Sequence, residues 1–138
     1  MNGRRLQAGK IAVRIYCGKL ESGAYHVRVA DDAALAVGPG LAYEIGSELP
    51  SHDELFKVPP PPFRWGDDGP GTAHLAAALL AELVGQDTRT VRAALPYLRR
   101  FLARLPADGF EISEDVFRAF LYALNGQAQP APQQQQHQ

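Results

Sequence analysis

The sequence predicts an α+β fold: an N-terminal antiparallel β-sheet of about three strands, packed by about three C-terminal helices. Three observations carry this expectation. Before residue 31, two runs rich in β-branched and aromatic residues alternate apolar with polar positions, the period of a strand. After residue 72, leucines, alanines and phenylalanines recur at spacings of three and four, the period of a helix. The length, 138 residues with 46% hydrophobic, is that of one domain with a buried core. Residues 1–126 are assigned to that domain. Residues 127–138 contain only Gln, Pro, Ala and one His, too little apolar surface to offset ordering entropy, and are read as a disordered tail.

The elements follow in order. Residues 11–17 alternate Ile11, Val13 and Ile15 on one face, with Arg14 on the other. Residues 24–30 place Tyr25, Val27 and Val29 on one face, His26 and Arg28 on the other. Glu21, Ser22 and Gly23 lie between them, so a hairpin is the simplest link. Residues 35–37 and 41–45 are expected to add one or two strands around the turn signal Gly38, Pro39, Gly40. Residues 46–62 read as irregular, with Pro59 to Pro62 in polyproline II. Thr72 is expected to cap a helix that Gly85 stops. A second helix is expected from Asp87 or Thr88 to Leu105, buried through Val91, Leu95, Leu98, Leu102 and Leu105. Pro96 falls opposite that stripe, on the solvent side, where a kink is best tolerated. Phe110 to Ile112 form a short strand. Ser113 caps a third helix buried through Val116, Phe117, Phe120, Leu121 and Leu124 and ended by Asn125 and Gly126.

Composition narrows function. The formal net charge is -1, which does not indicate whole-molecule attraction to nucleic acid. Charge is uneven, however. Residues 1–30 hold six basic groups against Glu21, and residues 31–71 hold eight acids against Lys57 and Arg64, so a basic and an acidic pole are expected. Cys17 is the only cysteine, excluding an internal disulfide and any multi-cysteine metal site. No apolar run reaches the ~18–20 residues of a membrane span, and no signal peptide is expected. A cytoplasmic protein without membrane contact is the expectation.

The densest local feature runs from Phe63 to Thr72, directly before the first long helix. Phe63 and Trp65 are read as anchors, with Gly66, Gly69 and Gly71 as tight backbone positions. A glycine-rich loop before a helix can cradle a phosphate. Here Asp67 and Asp68 oppose one, and no Walker-type Lys or Ser/Thr follows. The two acids alone lack the spacing of a calcium loop. The sharper surface feature is the second helix. Arg89, Arg92, Arg99, Arg100 and Arg104 share an arc of ~140° at ~100° per residue, with no acid between Asp87 and Asp108. Such a face suits an acidic protein patch or nucleic-acid phosphates. The alternative is a solvated face whose long stems cover apolar surface. Aromatic interleaving of the single-strand-binding kind is not evident. His26, His52, His74 and His137 do not cluster at metal-ligand spacing. A Cys17–His26 pair across the hairpin would lack an orienting third group, and His52, Asp53 and Glu54 resemble any polar loop. No catalytic residue, metal or cofactor is assigned.

The run Phe63 to Leu80, with its Phe-x-Trp-Gly, glycine-rich loop and Ala/Leu helix, resembles a family of small uncharacterised bacterial and phage proteins. Leu105 to Glu114, Leu-Pro-x-x-Gly-aromatic before a last helix, extends the likeness to residues 63–116, with a vaguer match at Tyr16 to Val29. Where the family usually has Gly-Tyr-Gly-Gly-Ser-Gly-Pro, this chain has Gly66-Asp-Asp-Gly-Pro-Gly. The resemblance implies a phage or mobile-element setting and supplies no catalytic residue. The preferred expectation is a small non-enzymatic interaction or regulatory protein acting on a host protein. Its candidate surfaces are the arginine face, the acidic middle and Pro59 to Pro62. The alternatives are a nucleic-acid-associated accessory protein using the arginine face, and a small enzyme with a site near Trp65.

Overall fold

The computed structural model describes residues 13–31, 41–85 and 88–128. Strands β1 (Arg14–Glu21) and β2 (Ala24–Asp31) form the expected hairpin, with Tyr16 opposite Val29 and Cys17 opposite Arg28. Ser22 and Gly23 both take positive φ, 53° and 81°, the backbone twist that a two-residue turn between twisted strands requires. Next come helix α1 (Leu41–Ile45), strand β3 (Ser47–Glu48) and a 3₁₀ turn at Asp53–Leu55. Helices α2 (Pro70–Val84) and α3 (Thr88–Ala103), strand β4 (Gly109–Ser113) and helix α4 (Glu114–Ala128) follow. The fold is α+β. Among the described residues its sheet has four strands in the order β3-β2-β1-β4, all antiparallel.

The hairpin is central, so β1 is buried on both sides. Tyr16 and Val27 face the helices and join Trp65, Leu75, Leu79, Leu98, Leu102 and Phe117 in the main core. Ile15, Cys17 and Ala30 face the other way and are covered by Ala42 of α1. The alternating face that includes Ile15 is therefore the smaller of two buried faces. Arg14 lies on the helix side, where its charge is met by Glu82 and Glu114.

Several expectations need correction. Residues 41–45 are helical, although Leu41, Tyr43 and Ile45 alternate like a strand. One short turn buries Ala42 completely against the sheet and leaves Ile45 exposed. The stretch read as irregular supplies β3, whose Glu48 pairs with Arg28 on the edge of β2. Helix α2 starts at Pro70 with Gly69 as its N-cap, and the Thr72 hydroxyl donates to Asp67. Proline at the first helical position lacks only an N–H that the helix would leave unpaired. Helix α3 stops at Ala103, before Leu105, and keeps Pro96 inside it on the exposed side. Val116 is 49% exposed, and α4 continues through Asn125 and Gly126 to Ala128. The expectations for residues 11–12, 35–40 and 129–138 lie outside the described residues.

Candidate interaction surface

The Trp65 loop fastens the helices to one another. Trp65 is fully buried and its indole N–H donates to the Pro106 carbonyl at 3.0 Å. Tyr25 and Phe110 meet its ring edge-on, at centroid distances of 4.7 and 4.9 Å. Phe63 stacks at a tilt on His74, whose ring nitrogens bridge the Pro61 and Ser51 carbonyls. Gly66 turns at φ 86° and donates its N–H to Leu102. A side chain at Gly71 would meet the Pro62 carbonyl at 2.6 Å and Arg64 Cβ at 2.8 Å, so the 62–64 segment lies directly on the first turn of α2. Asp67 accepts from Arg64, from the Gly69 N–H and from Thr72. The Arg64 bond comes first among the causes holding its carboxyl below the usual range. Asp68 is engaged by Arg99 at 2.8 Å. Both acids are thus matched by arginines. Among the described residues no three His, Cys, Asp or Glu side chains come together as a metal site.

The structure divides the arginine face. At ~100° per residue, Arg92 and Arg99 lean to one side of Arg89 and Arg100 to the other, while Arg104 lies just past the end of α3. On the first side Arg99 reaches across to Asp68 and to its carbonyl at 2.9 Å. On the second side the Arg100 guanidinium lies 5.8 Å from the centre of the Tyr97 ring, a cation–π distance. Tyr97 therefore stands among the arginines, an aromatic position that the sequence reading passed over.

Beside that second side lies a groove of about 610 Å³ between α3 and α4. Arg89, Thr90, Ala93, Ala94 and Tyr97 form one wall, and Arg118, Leu121, Tyr122 and Leu124 form the other. Val84, at the end of α2, also lines it. The helices converge at one end, where Phe101 packs on Phe117 and Phe120 at 6.0 and 5.3 Å. From there the groove runs toward Arg89 and Leu124. Tyr97 and Tyr122 are 46% and 82% exposed. Arg89 is the one residue of the expected arginine set in the groove lining. Val84, Leu121 and Leu124 there are positions whose helical spacing predicts burial in the core.

Arg118 also ends a chain of opposite charges that ties four segments together. It holds Glu114 at 2.7 Å. Glu114 accepts the Arg14 backbone N–H at 3.1 Å and sits 3.6 Å from its guanidinium. Arg14 binds the Glu82 carboxylate at 3.1 Å and the Glu82 carbonyl at 3.2 Å. Glu82 in turn meets His52 Nε2 at 2.6 Å, and Glu54 meets His52 Nδ1 at 3.2 Å. Burial opposes charge on His52, but the hydrogen bonds to Glu82 and Glu54 prevail and raise its pKa. Burial likewise opposes charge on Glu114, yet the Arg14 N–H and Arg118 hold its carboxyl below the usual value. Tyr16 is buried beside this chain, its hydroxyl without a hydrogen-bond partner among the described residues. Burial pushes that phenol up to about 12.

The remaining chemical candidates are not brought together. Burial, with Glu111 nearby, pushes the Cys17 thiol up to about 11, the opposite of an activated thiolate. Cys17 faces Arg28 across the hairpin, while His26 faces Lys19. No described helix is long and apolar enough to cross a membrane.

No curated protein and no solved structure matches the chain. A family model described as "Family of unknown function (DUF6166)" matches residues 37–123, which take in β3, β4, α2, α3, the Trp65 loop and most of α4. The chain belongs to that DUF6166 family.

Proposed function

We propose that this chain is a small non-enzymatic interaction protein whose partner-contacting surface is the groove between α3 and α4. The observation that carries this reading is the pair of exposed tyrosines, Tyr97 and Tyr122, on opposite walls of an apolar cleft edged by Arg89 and Arg118. Tyr and Arg are among the residue types that anchor protein interfaces, Tyr because it buries a large rigid ring at little entropic cost and Arg because its planar guanidinium offers several donors. Elsewhere, polar clusters are consumed internally. Asp67 and Asp68 hold arginines, and His52, Glu82, Arg14 and Glu114 hold one another.

The test is affinity capture with the full chain, its Ala93→Glu variant and its Val58→Glu variant. Ala93 lines the groove and is exposed, whereas Val58 is an exposed apolar residue outside the groove lining. The expected result is a stoichiometric protein that survives nuclease, is retained by Val58→Glu and is lost by Ala93→Glu. Capture that vanishes with nuclease would move the reading to the arginine face and nucleic acid. Capture indifferent to Ala93→Glu would overturn the groove.

A further inference from the structure

We propose that the proline run Pro59–Pro62 is a second docking surface, taken by a partner domain whose groove is lined with parallel aromatic side chains. The run shares no residue with the α3–α4 groove, so the two surfaces stand or fall separately.

The sequence dictates the backbone of this run. Each proline ring fixes φ at ~−65°. Val58 to Pro61 each precede a proline, which disfavours the helical region. What remains is polyproline II, a rod of about three residues per turn without internal hydrogen bonds. The run lies outside helix and strand, between the 3₁₀ turn and α2. Its burial follows the same period. Pro60 and Phe63 are half-buried, whereas Pro59, Pro61, Pro62 and Arg64 are exposed. One ridge, Pro60 with Phe63, therefore faces the body of the protein. The other two, Pro59 with Pro62 and Pro61 with Arg64, face outward.

The inner side is fastened. His74 meets the Pro61 carbonyl at 2.6 Å, and Phe63 stacks on the same imidazole. The Arg64 N–H donates to the Gly71 carbonyl at 3.2 Å, and Trp65 anchors the next position in the core. A rod already held in its bound shape loses little freedom when a partner docks.

The chemistry left on the outside names the partner. Proline has no N–H, so a partner strand finds no donors here for a β-ladder. Four prolines also carry no charge to meet a phosphate backbone. What they present is apolar ring surface that repeats every ~9 Å, at ~3.1 Å per residue. Grooves between aromatic rings take such ridges in the domains that read Pro-x-x-Pro segments, and Pro59 and Pro62 have that spacing. Arg64 is held by Asp67, so recognition rests on the proline ridges.

The probes are two proline-reading domains, a WW domain and an SH3 domain. Each is isotope-labelled and titrated with the full chain, and the NMR signal of its groove tryptophan is followed. A synthetic peptide of residues 55–66 is the accessibility control. The full chain is expected to shift the groove tryptophan of at least one domain, and to bind it at least as tightly as the peptide does. The Pro59→Ala/Pro62→Ala double variant should weaken binding at least tenfold. Both positions are exposed, so this variant should fold, which far-UV circular dichroism checks. Changing the probe's groove tryptophan to alanine should abolish binding with the chain itself unaltered. A chain that binds more than tenfold weaker than its own peptide would show the ridges to be covered in solution, and overturns the proposal. So does binding to neither domain, or binding that survives the double variant or the loss of the probe's tryptophan.

Discussion

Replacing Trp65 with Phe isolates what the indole contributes. The side chain is completely buried, with Tyr25 and Phe110 edge-on at 4.7 and 4.9 Å. Phenylalanine keeps one ring among them but loses the second ring and the donor. Losing the hydrogen bond to the Pro106 carbonyl, 3.0 Å long, costs about 1 kcal/mol net. The vacated outer part of the indole leaves a cavity of roughly 40 Å³, and at ~24 cal/mol per Å³ this adds about 1 kcal/mol. The sum, about 2 kcal/mol, is a large share of the ~5–15 kcal/mol that stabilises a typical domain. Trp65→Ala removes the whole ring and should cost ~3–5 kcal/mol. Trp65 is the only tryptophan, so urea unfolding is followed by far-UV circular dichroism in all three proteins. The m-value should stay constant while the midpoint falls. A Trp65→Phe midpoint within ~0.5 kcal/mol of the parent, the range of an ordinary surface substitution, would refute the assignment of this loop as the fastening between α3 and the hairpin.

Three further outcomes follow from the same contacts. Tyr16→Phe removes a buried hydroxyl that has no partner. Stability should be unchanged or rise by up to ~1 kcal/mol, again by urea unfolding; a loss above that would mean that the hydroxyl is satisfied in solution. Gly71→Ala forces a Cβ to within 2.6 Å of the Pro62 carbonyl and 2.8 Å of Arg64 Cβ. It should cost ~1–3 kcal/mol despite alanine's better helix propensity, read as a lowered thermal midpoint. His52 carries a raised pKa because its bonds to Glu82 and Glu54 outweigh burial. Its contribution is therefore fully present below the unfolded value of 6.5 and is lost as pH rises through the raised folded value. His52→Gln should be less stable than the parent below that window and should flatten the decline across it, measured as unfolding free energy against pH.

What the sequence disclosed was whatever repeats locally. The hairpin, the three long helices and β4 follow from period-two and period-3.6 patterns within each segment. Residues 41–45 defeat that reading, because five residues can satisfy either period and contact with the sheet decides between them. Ser47 and Glu48 are too few to show a period at all, and only their pairing with Val29 and Arg28 makes them a strand. The charge chain was invisible for a different reason. Arg14 finds Glu82 and Glu114, 68 and 100 positions away, and no local signal names such partners. Of the five arginines read as one face, four lie on α3 and Arg104 falls just past its end. That Arg99 is drawn to Asp68 while Arg100 stays beside Tyr97 depends on where the Trp65 loop lies. The groove needed two helices to be seen together. Its one local trace was Tyr97, an aromatic residue on the polar side of α3.

The fastenings and the groove occupy different residues, and this separates stability from recognition. The Trp65 loop joins Tyr25, Phe110, Leu102 and Pro106. The charge chain joins β1, α2, α4 and the His52 turn. Neither crosses the open end of the groove, where Ala93, Tyr97 and Tyr122 are exposed. Truncating an exposed side chain of this kind costs little in the folded monomer, but it removes the area that a partner would cover. Arg118 is the exception, since it lines the groove and also holds Glu114. Arg118→Ala should therefore lower both thermal stability and partner capture, whereas Tyr122→Ala should lower capture alone. Thermal unfolding and affinity capture on the same two variants decide this. Equal destabilisation by both would place Tyr122 in the fold's own packing and remove it from the partner surface.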